Sequence, residues 1–127
     1  MAKTVHNDVL DAALDAIAVG TRICVCSAEP TTYPEAITTY ELADVTVTAG
    51  DGNGDFTITD GDTNGRKVTM TAQSAVTVDN TGTATHVAIV DVAGTKLLYV
   101  TECTSTALTA AGTVDLAAWD IEIADPT

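Results

Sequence analysis

The sequence predicts a mainly β fold, an antiparallel β-sandwich or barrel of seven to eight short strands with one N-terminal amphipathic helix. Three observations carry that expectation. Apolar and polar residues alternate over short runs through most of the chain, the period of a strand with one covered face. Glycine, asparagine and aspartate pairs punctuate those runs at turn-like intervals. Threonine, valine and alanine dominate over one Trp, three Tyr and one Phe, and β-branched side chains suit a pleated surface.

The first segment departs from the two-residue period. Val5, Val9, Ala13, Leu14 and Ile17 recur every three or four residues, which predicts a helix from about Val5 to Ala18. Thr4 or Asn7 would cap it, Asp8 and Asp11 complement its positive end, and Gly20 would stop it in a left-handed conformation. Its apolar stripe requires a partner, either this chain's own sheet or another subunit.

Strand signals follow. Thr21 to Ser27 places Ile23 and Val25 on one face and Cys24 and Cys26 on the other. Ala28 to Thr39 carries Pro30 and Pro34 and reads as an extended surface arm. Tyr40 to Thr48 is a second strand, and Ala49 to Arg66 is turn-rich with a short strand at Phe56 to Thr59. Lys67 to Ala72 and Ala75 to Asp79 alternate. Thr85 to Val92 is apolar on both faces and so reads as a central strand. In Lys96 to Cys103, alternation puts Leu97, Tyr99 and Thr101 on one face and Leu98 and Val100 on the other. Thr113 to Ile123 closes the fold, with a change of face near Ala118 that implies a bulge or bend. Trp119, the one tryptophan, is expected to be the largest piece of the core or of an interface. The 127 residues make one domain, 1–127, with residues 1–20 as helix or arm and 21–127 as the β-body.

Charge narrows the partners. Eighteen acidic residues face five basic ones, a formal net charge of −13, and the basic residues are scattered. Nucleic acid and anionic membrane surfaces are therefore excluded as partners, because both demand clustered cations. No apolar run is long enough to span a bilayer, and no signal peptide is evident. The three cysteines, Cys24, Cys26 and Cys103, read as small buried apolar residues of a reducing compartment. A disulfide from Cys24 or Cys26 to Cys103 stays open.

One local pattern has metal-ligand spacing. Asp51, Asn53, Asp55, Thr57 and Asp62 occupy positions one, three, five, seven and twelve, the oxygen positions of a calcium loop. Phe56 stands where such loops need glycine, and Asp62 is shorter than the usual bidentate glutamate. The same residues read first as an acidic, solvated hairpin loop. His6 and His86 lie in no triad context, and no phosphate-cradling glycine loop is present, so the chain is expected not to be an enzyme and to need no cofactor beyond that calcium.

Five segments then match, in order, a pattern of small virion proteins. They are Val5 to Asp15 (VHNDVLDAALD), Ile23 to Tyr33 (ICVCSAEPTTY), Asp60 to Val68 (DGDTNGRKV), Gly82 to Ala88 (GTATHVA) and Trp119 to Pro126 (WDIEIADP). The chain resembles a family of small structural proteins of tailed bacteriophages. It departs from that family at Val87, where an aromatic residue is expected, and in its longer acidic insertion at Asp51 to Asp55. The resemblance implies a non-enzymatic decoration (cement) protein on the outer head surface, or alternatively a tail or neck subunit. It implies the virion as location, assembled in the host cytoplasm, with the major capsid protein or other virion subunits as partners and homo-oligomers as the working state. A calcium-dependent adhesion or carbohydrate-binding module is the reading from a different class. The helix and the Ala28 to Thr39 arm are the segments expected to make the contacts.

Overall fold

The computed structural model describes residues 3–127, and the fold is mainly β with one N-terminal helix. Among the described residues there are nine strands in antiparallel sheets, arranged as a sandwich and not as a closed barrel. The helix α1 (Asn7–Ala18) precedes β1 (Arg22–Cys26), and a single π-helical turn (Glu35–Thr39) leads into β2 (Glu41–Thr46). Then follow β3 (Phe56–Asp60), β4 (Arg66–Met70), β5 (Gln73–Thr77), β6 (Gly82–Asp91), β7 (Lys96–Leu108), β8 (Thr113–Leu116) and β9 (Trp119–Ile123).

A four-stranded sheet in the order β2-β1-β6-β7 is the backbone of the molecule. Ile23, Val87 and Ile89 project from one face and meet Phe56, Ile58, Val68, Met70 and Ile121 of the three-stranded sheet β3-β4-β9. Farther along the same face, Val25, Leu42, Ala43 and Ala84 are covered by Val76 and Val78 of the β5–β8 segment. The opposite face carries Cys24, Cys26, Ala88 and Val90. The alternation in β1 is thus realised as expected, with Ile23 and Val25 toward the sandwich and both cysteines away from it. The central position expected for Thr85 to Val92 also holds, since β6 pairs with β1 on one side and β7 on the other.

Several local expectations are overturned. The 28–39 segment is not an exposed arm. It folds back on the cysteine face, burying Pro30 and Ala36 and laying Tyr33, Ile37 and Tyr40 on Cys24, Cys26 and Val90. An uncovered apolar sheet face is costly in water, and this segment supplies the cover. Helix α1 is capped by His6, whose side chain accepts from the Asp8 amide at 3.1 Å, and neither Thr4 nor Asn7 does this. Its buried face is Leu10, Leu14 and Ala18, while Val9 is 59% exposed, so the covered stripe is rotated from the expected one. That face packs on this chain's own core, where Leu14 and Ala18 touch the Phe56 cluster. Gly20 is not left-handed; a β-carbon there would sit 2.5 Å from Ile89 Cγ2, so close packing demands the glycine.

A bulge on β7 resets side-chain direction. On β7 the pairing jumps from Ile89↔Tyr99 to Val90↔Leu97, leaving Leu98 as an extra residue. Leu98 therefore joins Tyr99 on the sandwich side, and Leu97 joins Val100 on the cysteine side. The change of face at Ala118 has another origin. Thr113 to Ile123 is two strands, β8 paired with β5 and β9 paired with β4, and the chain crosses between sheets at that point.

Candidate functional site

The proposed calcium ligands are placed on one long turn and one hairpin. Asp51 Oδ1 accepts from the Ile58 amide at 2.8 Å, and Asn53 Nδ2 donates to the Ala49 carbonyl at 2.8 Å. Asp55 accepts from the Thr48 amide at 2.6 Å and from Gln73 Nε2 at 3.0 Å. These side chains build the turn by satisfying its own donors, as short polar side chains do. Thr57 lies exposed within β3 opposite Thr69, and Asp62 lies in the turn beyond β3, ion-paired to Lys67 at 2.6 Å. Asp55 and Asp62 are thus at opposite ends of an extended five-residue strand, about 17 Å long. The calcium-loop reading fails on this point: spacing along a strand does not converge as spacing around a loop does. The turn-building role corresponds to the acidic hairpin alternative.

A different acidic group does converge. Among the described residues, Glu41, Asp44 and Asp79 bring one carboxylate oxygen each within 4.8 Å of one another. Their meeting depends on a bulge between β1 and β2. Pairing along β1 and β2 shifts from Val25↔Ala43 to Cys26↔Glu41, which leaves Leu42 as an extra residue. Glu41 and Asp44, three apart in sequence, thereby come to the same side of β2. Asp79 arrives from the end of β5, where the Ala43↔Val78 bridge and two amides, Asp79 and Asn80, bond β2 at the Leu42 carbonyl (2.7 and 3.1 Å).

Glu41 is the unusual member. It is 8% exposed, the one buried charged side chain among the described residues. Its Oε2 accepts from Asn80 Nδ2 at 3.2 Å, while no donor reaches its buried Oε1. Burial, then the hydrogen bond and charge of Asp79, push its carboxyl up to about 7. Arg22 reaches Asp44 from β1 at 3.6 Å. Sequence reasoning missed this group because Asp79 lies far along the chain from Glu41 and Asp44. The legible signal was a glutamate opening an apolar strand that otherwise faces the core.

The sandwich opens on one side into a groove of about 720 Å³ between β7 and the β8–β9 segment. Val25, Ala84 and Val87 form its base, Thr101 and Cys103 one wall, Leu116 and Trp119 the other, and Glu102, Asp115 and Asp120 add acidic groups. Trp119 is half-buried, tilted against Tyr99 with ring centroids 6.1 Å apart. The largest fully buried side chain is Phe56 and not Trp119. No histidine, lysine or arginine lines the groove, and burial pushes the Cys103 thiol up, the wrong direction for a nucleophile. His86 sits elsewhere, its Nδ1 2.8 Å from the Thr85 hydroxyl. Among the described residues no helix is long and apolar enough to cross a membrane. No protein-family model, curated protein or solved structure matches the chain.

Proposed function

We propose that this chain is a non-enzymatic structural subunit of a tailed-phage particle, a decoration (cement) protein bound to the outer face of the head. The resemblance of its five segments supplies the particle. The observation that carries binding over catalysis is the groove between β7 and the β8–β9 segment, which has a largely apolar lining, a half-buried tryptophan and no activated nucleophile. Its three carboxylates suit an apolar segment with basic flanks, the chemistry we assign to the contact on the capsid protein. A net charge of −13 suits an outer surface, turned away from packaged DNA. Oligomers on the head would add stability by mass action.

Purified protein added to DNA-filled, tailless heads tests this reading. Co-sedimentation in hundreds of copies per particle is expected, with loss of binding in Trp119→Ala and Glu102→Lys. Recovery only with tails or necks would make it a tail or neck component. The half-buried Trp119 lining an acidic groove also favours a second reading, a carbohydrate-binding module, because sugar rings stack on indole faces. Binding to glycans in preference to heads, lost in Trp119→Ala, would select it.

A further inference from the structure

We propose that Glu41, Asp44 and Asp79 form a binding site for one calcium-sized divalent cation at the outer edge of β2. The geometry fits such an ion. Oxygens bound to one calcium at 2.3–2.6 Å lie no more than about 5 Å apart, and these three side chains bring oxygens within 4.8 Å of one another. The second, independent observation is Glu41 itself. More than nine-tenths of this residue is buried, yet once its carboxyl is ionised no donor reaches Oε1. A buried carboxylate oxygen left unpaired is strongly disfavoured, and a cation is the partner that a cluster of acceptors can take.

Charge points the same way. Three carboxylates opposed by the single guanidinium of Arg22 leave two negative charges uncompensated, the charge of one divalent ion. The donor set is oxygen only, which selects a hard cation. Cys24 and Cys26 lie across from Asp44 and Glu41 on β1, but burial holds both as thiols and Cys26 Sγ donates to the Ala36 carbonyl at 3.6 Å. They offer no thiolate to a softer metal. Asp79 is exposed, so water completes the coordination sphere as calcium permits and magnesium, with its stricter octahedral shell, resists. The bound ion ties β2 to the turn after β5, where the β5–β8 segment is fastened to the main sheet.

The test uses chelator-stripped full-length protein at mildly alkaline pH, titrated with calcium chloride or magnesium chloride and followed by calorimetry and thermal melting. Calcium is expected to bind with measurable heat and raise Tm, and magnesium to bind more weakly. Asp79→Asn, an exposed substitution that leaves packing intact, is expected to weaken calcium by about tenfold or more, since ligand charge sets affinity. Asp44→Asn should do the same, and Glu41→Gln should abolish binding. Terbium luminescence excited through Tyr40, next to Glu41, should appear in the parent and vanish in Asp79→Asn. Absence of heat and of any Tm change with both ions would overturn the proposal. So would calcium binding that survives Asp79→Asn and Asp44→Asn but is lost in Asp51→Asn, because the ion would then sit in the 51–62 turn.

Discussion

Glu41 has a consequence for the ion-free protein that can be read as pH dependence. Its folded-state carboxyl titrates near 7 against an ordinary 4.5, so the folded chain holds this proton more tightly than the unfolded chain. The stability it contributes is complete below about 4.5 and is lost as pH rises through about 7. The groups facing it are Asp79, Asp44 and the Asn80 amide, with Arg22 reaching Asp44 behind. In chelator, urea midpoints of the parent should fall relative to those of Glu41→Gln as pH rises across that window. A constant difference between the two proteins would show that Glu41 titrates normally. The thiols provide a second residue-scale measurement. Cys24 and Cys26 are buried and pushed up to about 12, whereas Cys103 is half-buried in the groove wall. A thiol reagent at neutral pH should modify Cys103 alone in the native protein and all three cysteines in denaturant. Rapid native labelling at Cys24 would mean that the 28–39 segment opens.

At the scale of elements, helix α1 is part of the core and not a detachable clamp. Leu14 is fully buried beside Phe56 and Ile23, and Asp11 forms a two-point ion pair with Arg66 at 2.7 and 3.3 Å. Arg66 also holds Asp60 at 2.6 Å, so one guanidinium joins the helix to both strands of the β3–β4 hairpin. Leu14→Ala should cost about 2–5 kcal/mol in a urea or thermal melt. Val9→Ala, on the exposed arc, should change stability by no more than about 0.5 kcal/mol. Equal effects would mean that the helix does not pack as described. Removal of residues 1–18 is expected to destabilise the β-body, because it uncovers Phe56 and Ile89, so the truncation is no clean test of particle binding. The glycine of the β3–β4 turn has a similar structural reason. Gly65 is left-handed, and a β-carbon there would collide with the Ile123 carbonyl.

At the scale of the whole molecule, the main sheet is covered on both faces by unlike material. The sandwich side is covered by two small sheets and the helix, and the cysteine side by one irregular segment. Phe56 stands where the layers meet, so Phe56→Ala should cost about 3–5 kcal/mol. Trp119, half-buried at the groove, should cost less on the same change, and its fluorescence should respond to an occupant of the groove. A larger loss at Trp119 than at Phe56 would relocate the centre of the core. Most of this architecture was legible from periodicity: the mainly β body, the helix, the two-faced β6 and the cysteines set opposite Ile23 and Val25. The strands were harder to count, because β8 and β9 form one unbroken pattern in sequence and separate only by pairing with different partners. The calcium spacing at Asp51 to Asp62 misled for a related reason, since an intervening strand turns sequence proximity into distance.

The sequence by itself determined what depends on near neighbours: which residues prefer pleated backbone, which face of β1 is apolar, and how acidic the exterior is. These follow from side-chain direction and charge, which a few adjacent residues settle. The tertiary structure decided what depends on partners. It folded the 28–39 segment over the cysteine face, turned the helix onto its own core and brought Glu41, Asp44 and Asp79 together. The first two turn on apolar faces that need cover and the third on a bulge and a bridge, and all arise from the contest among distant segments for one buried surface.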